Sequence, residues 1–276
     1  MFKKSNFIER SLTGALSFIK GSIFTEGYAS RIGFLQSLDP RIKAATFLLF
    51  LLQILFTKNI LVLLYLYALC LMLAQVSRID LLFFLKRTWV FIPLFSLFIA
   101  IPALFSIFTP GDPLVSFSLI GHKLTITHQG LSGAELFVTR VITSVSFVVL
   151  LSITTKHFEL LKVLRIFKIP QVFVMTLGMC YRYIYLFAEI IEDTYLAIKS
   201  RVGTLVHYKR GQHLVAWNIA YLWHRSYQLN EEVYKAMLSR GYAGEPAVLT
   251  DFRFKPKDLV WFIFAAIMFT AMRKYG

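Results

Sequence analysis

Two ten-residue stretches of the chain carry matching side chains in the same order. Glu192-Asp193-Thr194-Tyr195-Leu196-Ala197-Ile198-Lys199-Ser200-Arg201 aligns with Glu231-Glu232-Val233-Tyr234-Lys235-Ala236-Met237-Leu238-Ser239-Arg240 at an offset of 39 residues, sharing two acids, Tyr, Ala, Ser and Arg. Each stretch ends a helical pattern. Gly203 follows the first and Gly241 the second, where a helix C-cap takes glycine. A helix C-terminus carries partial negative charge, which favours an arginine there. The guanidinium can then project into an acidic groove and hold a carboxylate through two parallel hydrogen bonds. A single Ser-Arg-Gly is ordinary helix-stop chemistry. Two copies with matched upstream acids and tyrosine suit docking to a two-lobed partner.

Other ionisable residues lie in apolar surroundings. Arg182 and Glu189 are seven apart, two turns along one helix face, and read as an internal charge pair or a partner contact. Arg140 falls near the middle of a long apolar run, where a charge is costly and a partner is expected. A backbone carbonyl or Glu135 fills that role better than a substrate does. His122 and His128 flank a polar loop, and His207 and His213 lie in a basic turn. Neither pair has the i,i+4 spacing or nearby carboxylates of a metal site, so they read as solvated loop histidines and no metal is assigned. HExxH, GxSxG and GxxxxGK[ST] are all absent, which argues against a metalloprotease, a serine hydrolase and a self-sufficient ATPase.

The elements that position these residues are read from hydropathy. Of 276 residues, 57% are hydrophobic and only 16% charged, against about 25% in a typical soluble domain. The excess is concentrated in runs such as 44–56 and 60–76, which approach the ~20 residues needed to cross a bilayer. The net charge of +15 does not form a nucleic-acid surface, because the Lys and Arg residues sit at the ends of apolar segments. Cys70 and Cys180 cannot build a disulfide framework, and no cleaved signal peptide is read.

Spans are expected at 42–57, 59–76, 88–108 and 131–153. Residues 5–24 form an amphipathic pattern, for which an interfacial helix on an anionic leaflet and a cytosolic helix packed on the protein both remain open. Alternation over 115–120 and 123–127 reads as a small hairpin. Residues 1–43 carry seven Lys or Arg, the loop 77–87 three and the loop 154–170 four, whereas the alternate loops hold only Lys58 and Lys123. That bias places the N-terminus in the cytosol. Residues 172–191 are apolar enough to span, yet crossing there would put the ten Lys and Arg of 192–257 outside. The segment is therefore read as the first half of a long helix, Gln171 to Arg201, lying at the cytosolic leaflet. One more crossing at 259–272 makes five and puts the C-terminus outside. Arg273 and Lys274 mildly oppose that placement.

At these residues the chain resembles the transmembrane T component of energy-coupling factor (ECF) transporters, of the CbiQ type. Ser200-Arg201-Val202 and Ser239-Arg240-Gly241 stand where that family has paired Ala-Arg-Gly-like motifs at the ends of two coupling helices, with Val202 replacing the usual glycine. Leu38-Asp39-Pro40-Arg41-Ile42-Lys43 resembles the family's opening of the first span. Arg182-Tyr183-Ile184 resembles its Arg-aromatic-Ile stretch, with Tyr185 where proline is common. Ala236 to Gly244 is similar to its second motif and tail.

The resemblance implies an all-α integral membrane protein with about five transmembrane helices and a cytosolic coupling domain of long hydrophobic and amphipathic helices. The division expected is 1–41 as an N-terminal segment, 42–153 as the transmembrane region, 154–257 as the coupling domain and 258–276 as the last span. It also implies a non-catalytic subunit of the cell membrane. Ala197, Ser200, Arg201, Ala236, Ser239, Arg240 and Gly241 would face two cytosolic ATP-binding cassette subunits, which hold the ATP and Mg; this chain would hold no cofactor. A separate substrate-capture membrane subunit, CbiM-like if the solute is cobalt, would complete the complex. Cobalt or nickel uptake is the implied role. A T component for a vitamin is the alternative, followed by a secondary transporter.

Overall fold

The computed structural model describes residues 14, 27–31, 33–89, 92–103, 113–119, 122–164, 168–202, 208–244 and 254–275. The amphipathic pattern at 5–24 and Gly203 lie outside the described residues, apart from Gly14. Helices α1 (Pro40–Phe56), α2 (Ile60–Val76), α3 (Leu81–Trp89) and α4 (Ile92–Ala103) come first. The hairpin β1 (Pro113–Leu119) and β2 (His122–Thr127) follows, paired antiparallel. Then come α5 (His128–Thr154), α6 (His157–Leu164), α7 (Gln171–Val202), α8 (Tyr208–Ser239) and α9 (Pro256–Tyr275). The protein is thus a helical membrane protein with one two-stranded hairpin, placed where the sequence alternates.

Local chemistry sets the helix starts. Asp39 caps α1 by accepting from Arg41 N at 2.9 Å, with Pro40 supplying the fixed φ of the first helical position. Asn59 caps α2 through Leu61 N, and Thr127 caps α5 through Gly130 N. Asp80 accepts from Leu82 N at 3.2 Å and so starts α3. That cap corrects the third span. The apolar helical stretch opens at Leu81 instead of 88 and reaches Pro102, carrying Lys86 and Arg87 inside a helix. Residues 104–108 of the expected span lie outside the described residues.

The chain divides into two compact units, Met1–Thr25 with Leu164–Asp251, and Glu26–Val163 with Phe252–Gly276. In the second unit, α5 is the central helix and touches α1, α2, α3 and α4, while α9 packs on α1. Phe47 and Phe50 of α1 meet Phe147 of α5 with ring centroids 5.7 and 5.4 Å apart. Trp261 of α9 donates to the Thr46 hydroxyl at 3.0 Å. The outward faces are as apolar as the core: Phe56, Leu61 and Phe98 are 70–75% exposed. Exposed apolar area on that scale is unusual for a water-soluble monomer and ordinary for a surface in lipid. In the first unit, α7 and α8 are each 32 residues long, about 48 Å at 1.5 Å per residue, and contact one another.

By length and composition, Leu81–Pro102, His128–Thr154 and Gln171–Ala197 are able to cross a membrane, and Ile60–Val76 is a shorter apolar helix. The third of these contains the segment that charge counting keeps out of the membrane. Hydropathy alone admits it, so its exclusion rests on the basic residues that follow.

Candidate functional site

The two arginine-bearing helix ends share one local geometry. Ser200 Oγ donates to Ala197 O at 2.8 Å, and Ser239 Oγ donates to Ala236 O at 2.9 Å. Each serine folds back on its own helix, the usual habit of a hydroxyl that finds no other acceptor near the last turn. That bond ties the side chain preceding each arginine to the helix. Ala197, Ser200, Arg201, Ala236, Ser239, Arg240 and Gly241 are all exposed. Neither guanidinium has a hydrogen bond or an ion pair with another described residue.

The second end closes in a defined way. Gly241 has φ +81°, the left-handed conformation that a Cβ disfavours. Gly241 N donates to Leu238 O at 3.0 Å and Tyr242 N donates to Met237 O at 3.0 Å, which together make a Schellman motif. Arg240 is therefore the C-cap residue and leaves the helix axis where the backbone turns. Tyr242 continues inward, its hydroxyl donating to Gly244 O at 2.9 Å and lying 3.5 Å from Met175 Sδ of α7. The tail of α8 is thus held on α7, and the Arg240 side chain is left outward. At the first end Val202 is still helical, so Arg201 occupies the last turn instead of a cap.

Upstream of the second end, Lys235 pairs with Glu231 at 3.5 Å and Arg225 with Glu232 at 3.8 Å. The acids shared by the two stretches are thus engaged along the helix in the second copy, not at its tip. Arg182 and Glu189 are not brought together. Both are exposed, and no ion pair joins them. Seven residues correspond to a rise of about 10.5 Å, the limit of what two side chains span. Arg225 and Glu232 close that distance, whereas Arg182 and Glu189 do not. Helix α7 runs unbroken past Tyr185, whose hydroxyl donates to Tyr181 Oη at 2.7 Å.

Arg140 of α5 donates from Nη2 to Thr57 O at 2.7 Å. That carbonyl belongs to the turn between α1 and α2, beyond the last helical bond of α1, so the arginine satisfies an acceptor the helix leaves open. Among the described residues no group of three or more His, Cys, Asp or Glu stands close enough to hold a metal ion.

A polar cluster that the sequence did not reveal joins three helix ends. Asp258, fully buried, accepts from Asp39 N at 2.8 Å through one oxygen and from Lys255 N at 2.8 Å through the other. It caps its own helix and pins the start of α1 at the same time. Lys43, also buried, donates to Thr154 O at 3.0 Å at the end of α5. Local spacing could not have shown these bonds, since their partners lie 111 and 219 residues apart.

The family model described as CbiQ, cobalt transport protein, matches residues 33–249. The chain is 34% identical over 264 residues to the uncharacterized protein MJ1571 of Methanocaldococcus jannaschii, covering 96% of this chain and 90% of that one. It is 29% identical over 132 residues to the uncharacterized protein MJ1089 of the same organism, about half of each chain.

Proposed function

The chain belongs to the CbiQ cobalt transport protein family, and from that premise we propose that it is the coupling subunit of an ECF-type importer. In this reading Arg201 and Arg240 each enter an acidic groove on one of two cytosolic ATPase subunits. Closure of those subunits on ATP displaces the two helix ends relative to one another. The long apolar faces of α7 and α8 carry that motion to a separate membrane subunit that captures the solute. Cobalt is the solute proposed, and nickel is the nearest alternative on the same grounds. The observation that carries the reading is the matched pair of exposed arginines, each preceded by a serine bonded back to the alanine three residues earlier.

Co-purification tests it. A tagged chain drawn from its native membrane should bring down ATPase subunits. Reconstituted alone in liposomes, it should not take up cobalt. A chain that comes down without any ATPase, or transports unaided, overturns the reading.

The topology proposed with it has the N-terminus and α7–α8 in the cytosol and the C-terminus outside. Its ground is the ten Lys and Arg of 192–257. A reporter enzyme active only outside the cytosol, fused after Gly276, should be active. An inactive fusion that is present at normal levels would refute the placement.

A further inference from the structure

The second unit has an apolar groove on its surface that no described residue fills. Its volume is about 420 Å³, within the roughly 300–1,000 Å³ of small-molecule sites. Leu61, Val62 and Tyr65 form one wall, on α2, and Met268, Ala271 and Met272 the other, on α9. The spacing on each helix is that of a single face. Met272 is the buried floor, while Leu61 and Tyr65 stand 70% and 56% exposed at the edge.

One end of this groove is basic. Asn59 lines it, and its chain neighbour is Lys58; Met272 lines it, and the next two residues are Arg273 and Lys274. All three cations are exposed, and among the described residues none of them has an ion-pair partner. They sit at the helix ends, where the end of a spanning helix meets the lipid phosphates, and Asn59 brings a polar side chain to the same end. An apolar slot running from a cluster of cations into the hydrocarbon fits a molecule with an anionic head and a long apolar chain.

We propose that this groove is a binding site for an anionic phospholipid, with an acyl chain between α2 and α9 and its phosphate among Lys58, Arg273 and Lys274. The site gives a use to the two terminal cations that the charge bias leaves unexplained. It does not depend on the coupling role, nor on which side of the membrane the end faces. A partner helix would meet the apolar walls but would leave three cations at the rim without counter-charge.

The test uses the full chain, delipidated in a non-ionic detergent and followed by native mass spectrometry. Phosphatidylglycerol and phosphatidylcholine of identical acyl chains are titrated separately. Phosphatidylglycerol should bind about ten-fold tighter or more, since each interfacial cation favours an anionic lipid. The surface variant Lys58→Gln/Arg273→Gln/Lys274→Gln should lose that preference and keep the phosphatidylcholine affinity. Ala271→Trp, which fills the groove, should weaken both lipids, with an unchanged helical circular dichroism spectrum as the folding check. Equal affinity for the two lipids in the parent chain overturns the proposal. So does full displacement of phosphatidylglycerol by free glycerol phosphate, which would mean a phosphate site without the groove. A dimer or bound protein that Ala271→Trp removes while lipid binding stays intact overturns it as well.

Discussion

Replacing both Arg201 and Arg240 with alanine should abolish stable association with the ATPase subunits and end solute uptake, while the chain still folds and inserts. The folding half of this expectation rests on the geometry: both side chains are exposed and neither is bonded to another described residue, so their loss removes no hydrogen bond or ion pair among the described residues. The binding half rests on desolvation. In the proposed complex each guanidinium is withdrawn from water into an acidic groove. Removing one partner of such a pair costs about 3–5 kcal/mol, because the other charge is left buried and unpaired. That is roughly two to four orders of magnitude in affinity at each end. The single variants should each lose one attachment and show partial uptake or uncoupled ATP hydrolysis. Lysine in place of either arginine should recover only part of the binding, since it keeps the charge and loses the two-pronged geometry. Pull-down of the ATPases and cobalt uptake in cells measure both effects. Normal complex and normal uptake in the double variant would end the proposal.

Lys43→Ala should be the most destabilising single substitution in the second unit. Lys43 is 1% exposed and the largest of its fully buried side chains. Its truncation removes a long aliphatic stem from a packed site and leaves Thr154 O without its donor. Truncating a long buried chain alone costs about 2–5 kcal/mol, and an orphaned buried acceptor adds roughly 1–3 kcal/mol. The melting temperature of the detergent-purified chain should fall by on the order of 10 °C. Lys43→Met keeps the volume and loses only the polar contacts, so it should fall by less. Equal melting temperatures for Lys43→Ala and the parent would show that the buried bond contributes nothing.

Lys43 also marks the limit of what the sequence could disclose. It is one of the seven basic residues of 1–43 whose number indicates which side that end faces. The bias is real, but this member of it is buried and ties α1 to the end of α5. Helix boundaries were legible where Asp39-Pro40 and Gly241 act on backbone within four residues of themselves. The repeat was legible for the same reason, and each serine bonds to an alanine three positions away. Asp258 was not legible, because what it holds is the backbone of Asp39, on another helix. The early start of α3 was missed because Lys86 and Arg87 made a helical turn look like a charged loop, although Asp80 carried the cap. The Arg182 and Glu189 pairing failed for the opposite reason. Spacing allowed it, and spacing is not contact, as Arg225 and Glu232 show at the same separation.

The bond from Arg140 to the Thr57 carbonyl couples the turn between α1 and α2 to α5. Helices α1 and α2 are 17 residues each, about 25 Å long, shorter than a hydrocarbon core of about 30 Å. Their connecting turn leaves the Thr57 carbonyl without a helical donor, and Arg140 of the longer α5 donates to it at 2.7 Å. The turn is thereby tied through its backbone to the central helix, so a shift of α5 along its axis would be felt at this turn.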